Sequence, residues 1–95
     1  MFEDQYHPAV KKDLKKIDIQ TRKEIQDEWL PILLQYPYQG QVLAGPLQGL
    51  RSFHLKVKTI DYRIAYSIDE SEKIIEILMI AKRESFYDIL KKRIT

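Results

Sequence analysis

The chain predicts an α+β fold: two amphipathic helices, then a sheet, then a terminal helix. Three observations carry this. Apolar residues recur at helical spacing as far as Tyr36, the period changes to two from Phe53 onward, and helical spacing returns after Ala81. Between the first two regimes lies YPYQGQVLAGPLQGL, a loop punctuated by Pro37, Gly40, Gly45, Pro46 and Gly49.

Taken in order, residues 2–6 read as a short strand, weakened by Asp4 and Gln5. His7-Pro8 starts a helix, because proline suits the first helical position and the residue before it prefers an extended backbone. Val10, Leu14 and Ile17 then fall at i, i+4 and i+7, with Lys11, Lys12, Asp13, Lys15 and Lys16 facing outward. Asp18 caps a second helix whose apolar face is Ile25, Trp29, Ile32 with Leu33, and Tyr36. Pro31 inside that pattern predicts a kink. The short connection predicts that the two helices pack as an antiparallel hairpin.

The strands follow. Phe53, Leu55 and Val57 alternate with His54, Lys56 and Lys58, and Tyr62, Ile64, Tyr66 and Ile68 alternate with Arg63, Ala65 and Ser67. Residues 73–81 open on Lys73 and are then apolar on both faces except at Glu76, as in a central strand. Residues 84–94 form the closing helix, with Phe86, Ile89 and Leu90 as its buried stripe. The expected architecture is an N-terminal helical hairpin on a curved antiparallel sheet with a C-terminal helix, forming one domain over residues 1–95.

Composition narrows the function. Hydrophobic residues make up 44% of the chain and charged residues 32%, a globular balance. The absence of cysteine excludes disulfides, thiolate metal sites and a cysteine nucleophile. Only His7 and His54 offer imidazoles, and no carboxylate spacing completes a metal site around them, so no metal or other cofactor is expected. The opening MFEDQYHPAV lacks the basic-then-apolar order of a signal peptide. The longest apolar run, IIEILMIA, is too short for a bilayer and carries Glu76, so a cytoplasmic location without a membrane partner is expected.

Net charge is only +2, yet the cations cluster. Residues 50–68 hold Arg51, Lys56, Lys58 and Arg63 against Asp61 alone; the last fourteen residues hold Lys82, Arg83, Lys91, Lys92 and Arg93 against Glu84 and Asp88. A local basic patch on a nearly neutral protein points to a local anionic ligand. If both strands of the hairpin turn their apolar faces inward, paired residues sum to an odd number. A two-residue loop at Thr59-Ile60, or a four-residue loop in the same register, sets Lys56 against Arg63 and His54 against Ala65. Small Ala65 and Ser67 would then floor a concavity that Arg83 and Tyr87 approach from the end of the last strand. Each of these residues alone is ordinary on a solvated sheet face. Together they read as a phosphate-binding, nucleic-acid-directed surface.

Three stretches in succession carry a further signal: LAGPLQGLR, DYRIAY and AKRESFY, following AVKKDLKKID. Over residues 2–93 the chain resembles the RelE/ParE superfamily of bacterial type II toxins. That resemblance implies a toxin held in check by a cognate antitoxin protein. Within the superfamily, the RelE branch cleaves mRNA, typically in the A site of the ribosome, on its small subunit, whereas the ParE branch inhibits DNA gyrase without nuclease activity. Lys56, Arg63, Arg83 and Tyr87 match the RelE pattern and imply an mRNA interferase, an endoribonuclease that needs no metal; a ParE-like gyrase inhibitor or a catalytically inactive family member is the alternative. His54 stands where a lysine or arginine is common, which leaves open which group is the base. The implied catalytic set is His54, Lys56, Arg63, Arg83 and Tyr87, with Arg51, Lys58 and Lys82 as further RNA contacts.

Overall fold

A computed structural model describes residues 1–95. The chain runs β1 (Glu3–Tyr6), α1 (Val10–Lys15), α2 (Ile19–Glu24), α3 (Leu30–Gln35), β2 (Gln41–Val42), β3 (Arg51–Val57), β4 (Ile60–Asp69), β5 (Ile74–Lys82) and α4 (Phe86–Ile94). The five strands form one sheet in the order β1-β5-β4-β3-β2. From β2 to β5 the pairing is antiparallel, as expected. β1 instead joins β5 in parallel, from Glu3 opposite Ile74 to Tyr6 opposite Ile77, so the sheet is mixed. A hairpin turn does not constrain β1, because the whole helical layer separates it from the other strands. β2, two residues long, lies inside the segment expected to be loop.

The helical layer begins where the sequence placed it. The Asp18 side chain accepts from the Thr21 backbone N–H at 3.0 Å and from its hydroxyl at 2.7 Å, capping α2. The disturbance predicted at Pro31 takes a specific form. Between α2 and α3 the helix widens into a π turn, Ile25–Trp29, in which the Leu30 N–H donates back to the Ile25 carbonyl. A π turn inserts one residue into the helical period. The buried stripe therefore runs Ile25, Leu30, Leu33 instead of Ile25, Trp29, Leu33, while Ile32 and Tyr36 are exposed. Leu30 is core.

Two cores flank the sheet. On one face α1 to α3 cover Phe53, Leu55, Val57, Tyr62, Ile64, Tyr66, Ile75 and Ile77. On the other, α4 and the β2–β3 connection bury Ala65 and Met79 beneath Leu43, Leu47, Phe86 and Leu90. Ala65 is thus packed under a second core and does not floor an open concavity. Ile89, expected in the buried stripe of α4, is exposed.

Asp13, expected to face outward, is buried. β1 covers only the first half of β5, which leaves a free edge from Leu78 onward. Asp13 and Arg93 fill that gap. The Ile80 N–H donates to Asp13 at 3.0 Å, and Arg93 donates to the Leu78 carbonyl at 2.9 Å. The two side chains join through a bidentate bridge of 2.6 and 2.8 Å. An ion pair takes the place of a missing strand, and it fastens α4 to α1 and β5. No helix is long and apolar enough to cross a membrane.

Candidate nucleic-acid interface

The β3–β4 hairpin builds the site. Its pairing obeys the expected parity, but the register lies two residues from the expected one. His54 opposes Arg63, and Lys56 opposes Asp61. The reason is the turn. The loop is Lys58-Thr59, with Lys58 in the left-handed region at φ 59°, and Ile60 stays in the strand opposite Val57. A positive φ in a two-residue loop suits the strand twist, while a β-branched isoleucine resists it. The expected clash of Lys56 with Arg63 is therefore absent. Lys56 instead has a carboxylate 3.9 Å away on Asp61.

Arg63 occupies the middle of β4, opposite Ala81 of β5. Two residues on, Arg83 leaves the strand on the same side, and its N–H is anchored to the Asp61 carbonyl at 3.3 Å. Tyr87 comes from the first turn of α4, and the Arg63 guanidinium lies 5.2 Å from its ring centroid. Phe86 fixes that ring edge-on at 5.3 Å. His54, Lys56, Asp61, Arg63 and Arg83, with Trp29 at the rim, line one open concavity of about 350 Å³. A larger one, about 610 Å³, lies between β1 and the helices; its walls include Val10, Leu14, Ile25 and Leu30, and it holds none of these groups.

Electrostatics give His54 a distinct character. Partial desolvation by its surroundings, then the positive charges of Arg63 and Arg83, hold the imidazole of exposed His54 below its ordinary value of 6.5, with Asp61 pulling the other way. It is a neutral acceptor at neutral pH. The carboxylate opposite Lys56 suits that side chain to a cation's role. Arg63 and Arg83 offer planar donors for paired bonds to phosphate oxygens.

The five residues expected to act together are thus brought together: His54, Lys56, Arg63 and Arg83 line the concavity, and Tyr87 backs Arg63. The three further contacts are not. Arg51 follows the parity of Phe53 onto the helical face, where it donates to the carbonyls of Tyr38 and Gly40 at 3.0 and 3.1 Å. Lys58 lies in the turn, near enough to Asp18 to help lower that carboxyl. Lys82 pairs with Tyr62, whose side chain belongs to the helical face. Sequence reasoning missed Trp29 as part of the site, since at α-helical spacing it reads as core; Pro31 was the available sign that the spacing would slip.

The sequence matches the family model of the ParE-like toxins of type II bacterial toxin–antitoxin systems over residues 5–91. The chain belongs to this family. Among solved structures, the toxin is similar to a mutant of the E. coli toxin RelE in its free state, with a TM-score of 0.74 at 17% identity over 99% of this chain and 98% of that one. It is also similar to the toxin–antitoxin complex RelBE2 from Mycobacterium tuberculosis, at 0.71 and 23% identity over 86% and 98% of the two chains. The archaeal RelE–RelB complex from Pyrococcus horikoshii gives 0.61 and 22% identity over 87% and 96%. At these identities the likeness is one of fold. A comparison with characterised protein sequences gives no significant match.

Proposed function

We propose that this toxin is an endoribonuclease that cleaves mRNA in the ribosomal A site, using side chains alone. The observation that carries this reading is the convergence of His54, Lys56, Arg63 and Arg83 on one concavity, with Tyr87 stacked behind Arg63. Cleavage requires a base for the 2′-hydroxyl, cations for the charge that builds on phosphorus-bound oxygen, and an acid for the leaving 5′-oxygen. His54, neutral at pH 7, takes the 2′-hydroxyl proton. The 2′-oxygen then bonds to phosphorus while the bond to the 5′-oxygen breaks, leaving a 2′,3′-cyclic phosphate and a 5′-hydroxyl. Arg63 and Arg83 hold the non-bridging oxygens, and Lys56 supplies the proton to the departing oxygen. Tyr87 orients Arg63 and offers its remaining face to a base.

The partner that silences this activity is a cognate antitoxin whose acidic segment neutralises the concavity. Complexes of RelE with RelB among similar folds support an antitoxin partner. Exposed Ile32, Tyr36 and Val42 supply apolar area for the same partner. Both activities belong to the cytoplasm, where the ribosomes are.

The family model bears the name of ParE, and the second reading, inhibition of DNA gyrase, rests on that likeness alone. Induction of the toxin in a bacterium, with primer-extension mapping of a reporter message, separates the two. Cuts inside translated codons support the nuclease. Intact messages with growth arrest and altered plasmid supercoiling would move the toxin to gyrase inhibition.

A further inference from the structure

We propose that Trp29 is a stacking platform for a nucleobase next to the phosphate held by Arg63 and Arg83; this rests on the nucleic-acid reading of the site. Trp29 borders the same concavity as His54, Lys56 and Arg63, although it belongs to the helical layer on the far side of the sheet. It reaches the rim because of the π turn. A regular helix would place residue 29 on the buried stripe with Ile25 and Leu33, but the inserted residue gives that position to Leu30, which is 6% exposed, and leaves Trp29 half-buried. π turns of this kind recur at functional sites, where they redirect one side chain at the expense of helical regularity.

The indole is also held ready. Its N–H donates to Glu24 at 3.0 Å, so the only polar group of the ring is satisfied within its own helix. Phe53 meets one side of it, with centroids 6.2 Å apart and planes tilted by 58°. A large aromatic surface fixed in this way loses little freedom on binding, and stacking accepts any base. Tyr87 reaches Arg63 from α4, and Trp29 reaches the concavity that Arg63 and Arg83 line from the helical layer. That arrangement fits a single strand whose neighbouring bases are splayed apart around one phosphate.

Trp29 is the only tryptophan, so its fluorescence reports the site directly. The probe is a fluorescein-labelled RNA hexamer of mixed sequence with 2′-O-methyl sugars, which cannot be cut by 2′-hydroxyl attack. Saturable quenching of the indole by an unlabelled copy is expected, with the anisotropy of the labelled copy giving the affinity. Inorganic phosphate and an abasic hexamer should leave the emission unchanged. Trp29→Leu should weaken hexamer binding by about 5- to 150-fold, and Trp29→Phe should recover part of the loss. Binding without quenching, equal quenching by the abasic strand, or no binding would each overturn the platform, and quenching of the unaltered protein needs no variant to fold. Mapped cuts in translated codons together with a silent indole would remove the platform alone. Quenching beside intact messages would retain it and remove the nuclease.

Discussion

The guanidinium of Arg63 lies over the ring of Tyr87, 5.2 Å from its centroid, and ties α4 to the centre of β4. The phenol need not titrate to perform this task. Contacts of this kind contribute about 0.5–1 kcal/mol at accessible sites, and here the geometric effect on Arg63 outweighs the stability. Tyr87→Phe should therefore keep most of the cleavage rate, while Tyr87→Ala should lower it by about 10-fold or more with little change in thermal stability. Single-turnover cleavage on programmed ribosomes, beside a melting curve for each variant, tests the pair.

His54 makes the pH dependence specific. Desolvation, Arg63 and Arg83 lower its folded pKa from 6.5, so the folded chain binds fewer protons there than the unfolded chain. Its contribution to stability is complete above about 6.5 and is lost as pH falls through the folded value. The acid limb of cleavage should accordingly lie below 6.5, and His54→Gln should remove that limb and slow cleavage by about 100- to 10,000-fold. Proton NMR titration of the two histidines gives the folded values, and Arg63→Gln should raise that of His54.

The Asp13–Arg93 bridge predicts a stability effect far from the chemistry. Its side chains are only 7% and 13% exposed. Removing one partner leaves a buried charge together with unpaired groups on the edge of β5. Arg93→Ala should cost about 3–5 kcal/mol in urea unfolding. The double variant Asp13→Leu/Arg93→Met should lose less than Arg93→Ala alone.

Gly40 predicts a steric effect. The Tyr66 hydroxyl donates to the Pro37 carbonyl at 2.6 Å and accepts from the Gly40 N–H at 3.0 Å, which brings the phenol onto the glycine backbone. A Cβ at position 40 would overlap that hydroxyl. Gly40→Ala should destabilise the fold by about 1–3 kcal/mol, and combining it with Tyr66→Phe should relieve part of that loss in the same unfolding measurement.

What the sequence revealed follows from the reach of each signal. Period-two alternation fixes which face each side chain takes, so the strands, the pairing parity and the grouping of His54, Lys56, Arg63 and Arg83 were legible. Alternation does not fix register, which depended on Lys58 accepting a positive φ in place of the expected Thr59-Ile60 turn. Arg51 lies on the strand carrying His54 and Lys56, and its odd number already assigned it to the opposite face. Trp29 yielded its expected core position to Leu30 because one π turn shifts every later position of the helix. Asp13 was hidden for a different reason: its partners, Ile80 and Arg93, lie 67 and 80 residues away, and no local pattern announces a side chain that completes a sheet edge.

The most direct test of the central claim is mapping of message ends after induction of the native toxin and of Arg83→Ala. Arg83 is exposed and leaves β5 at its end, so the variant should fold as the native protein does. The account predicts cuts within translated codons for the native toxin and their loss, with restored growth, for Arg83→Ala. Growth arrest by both proteins with messages intact would contradict it.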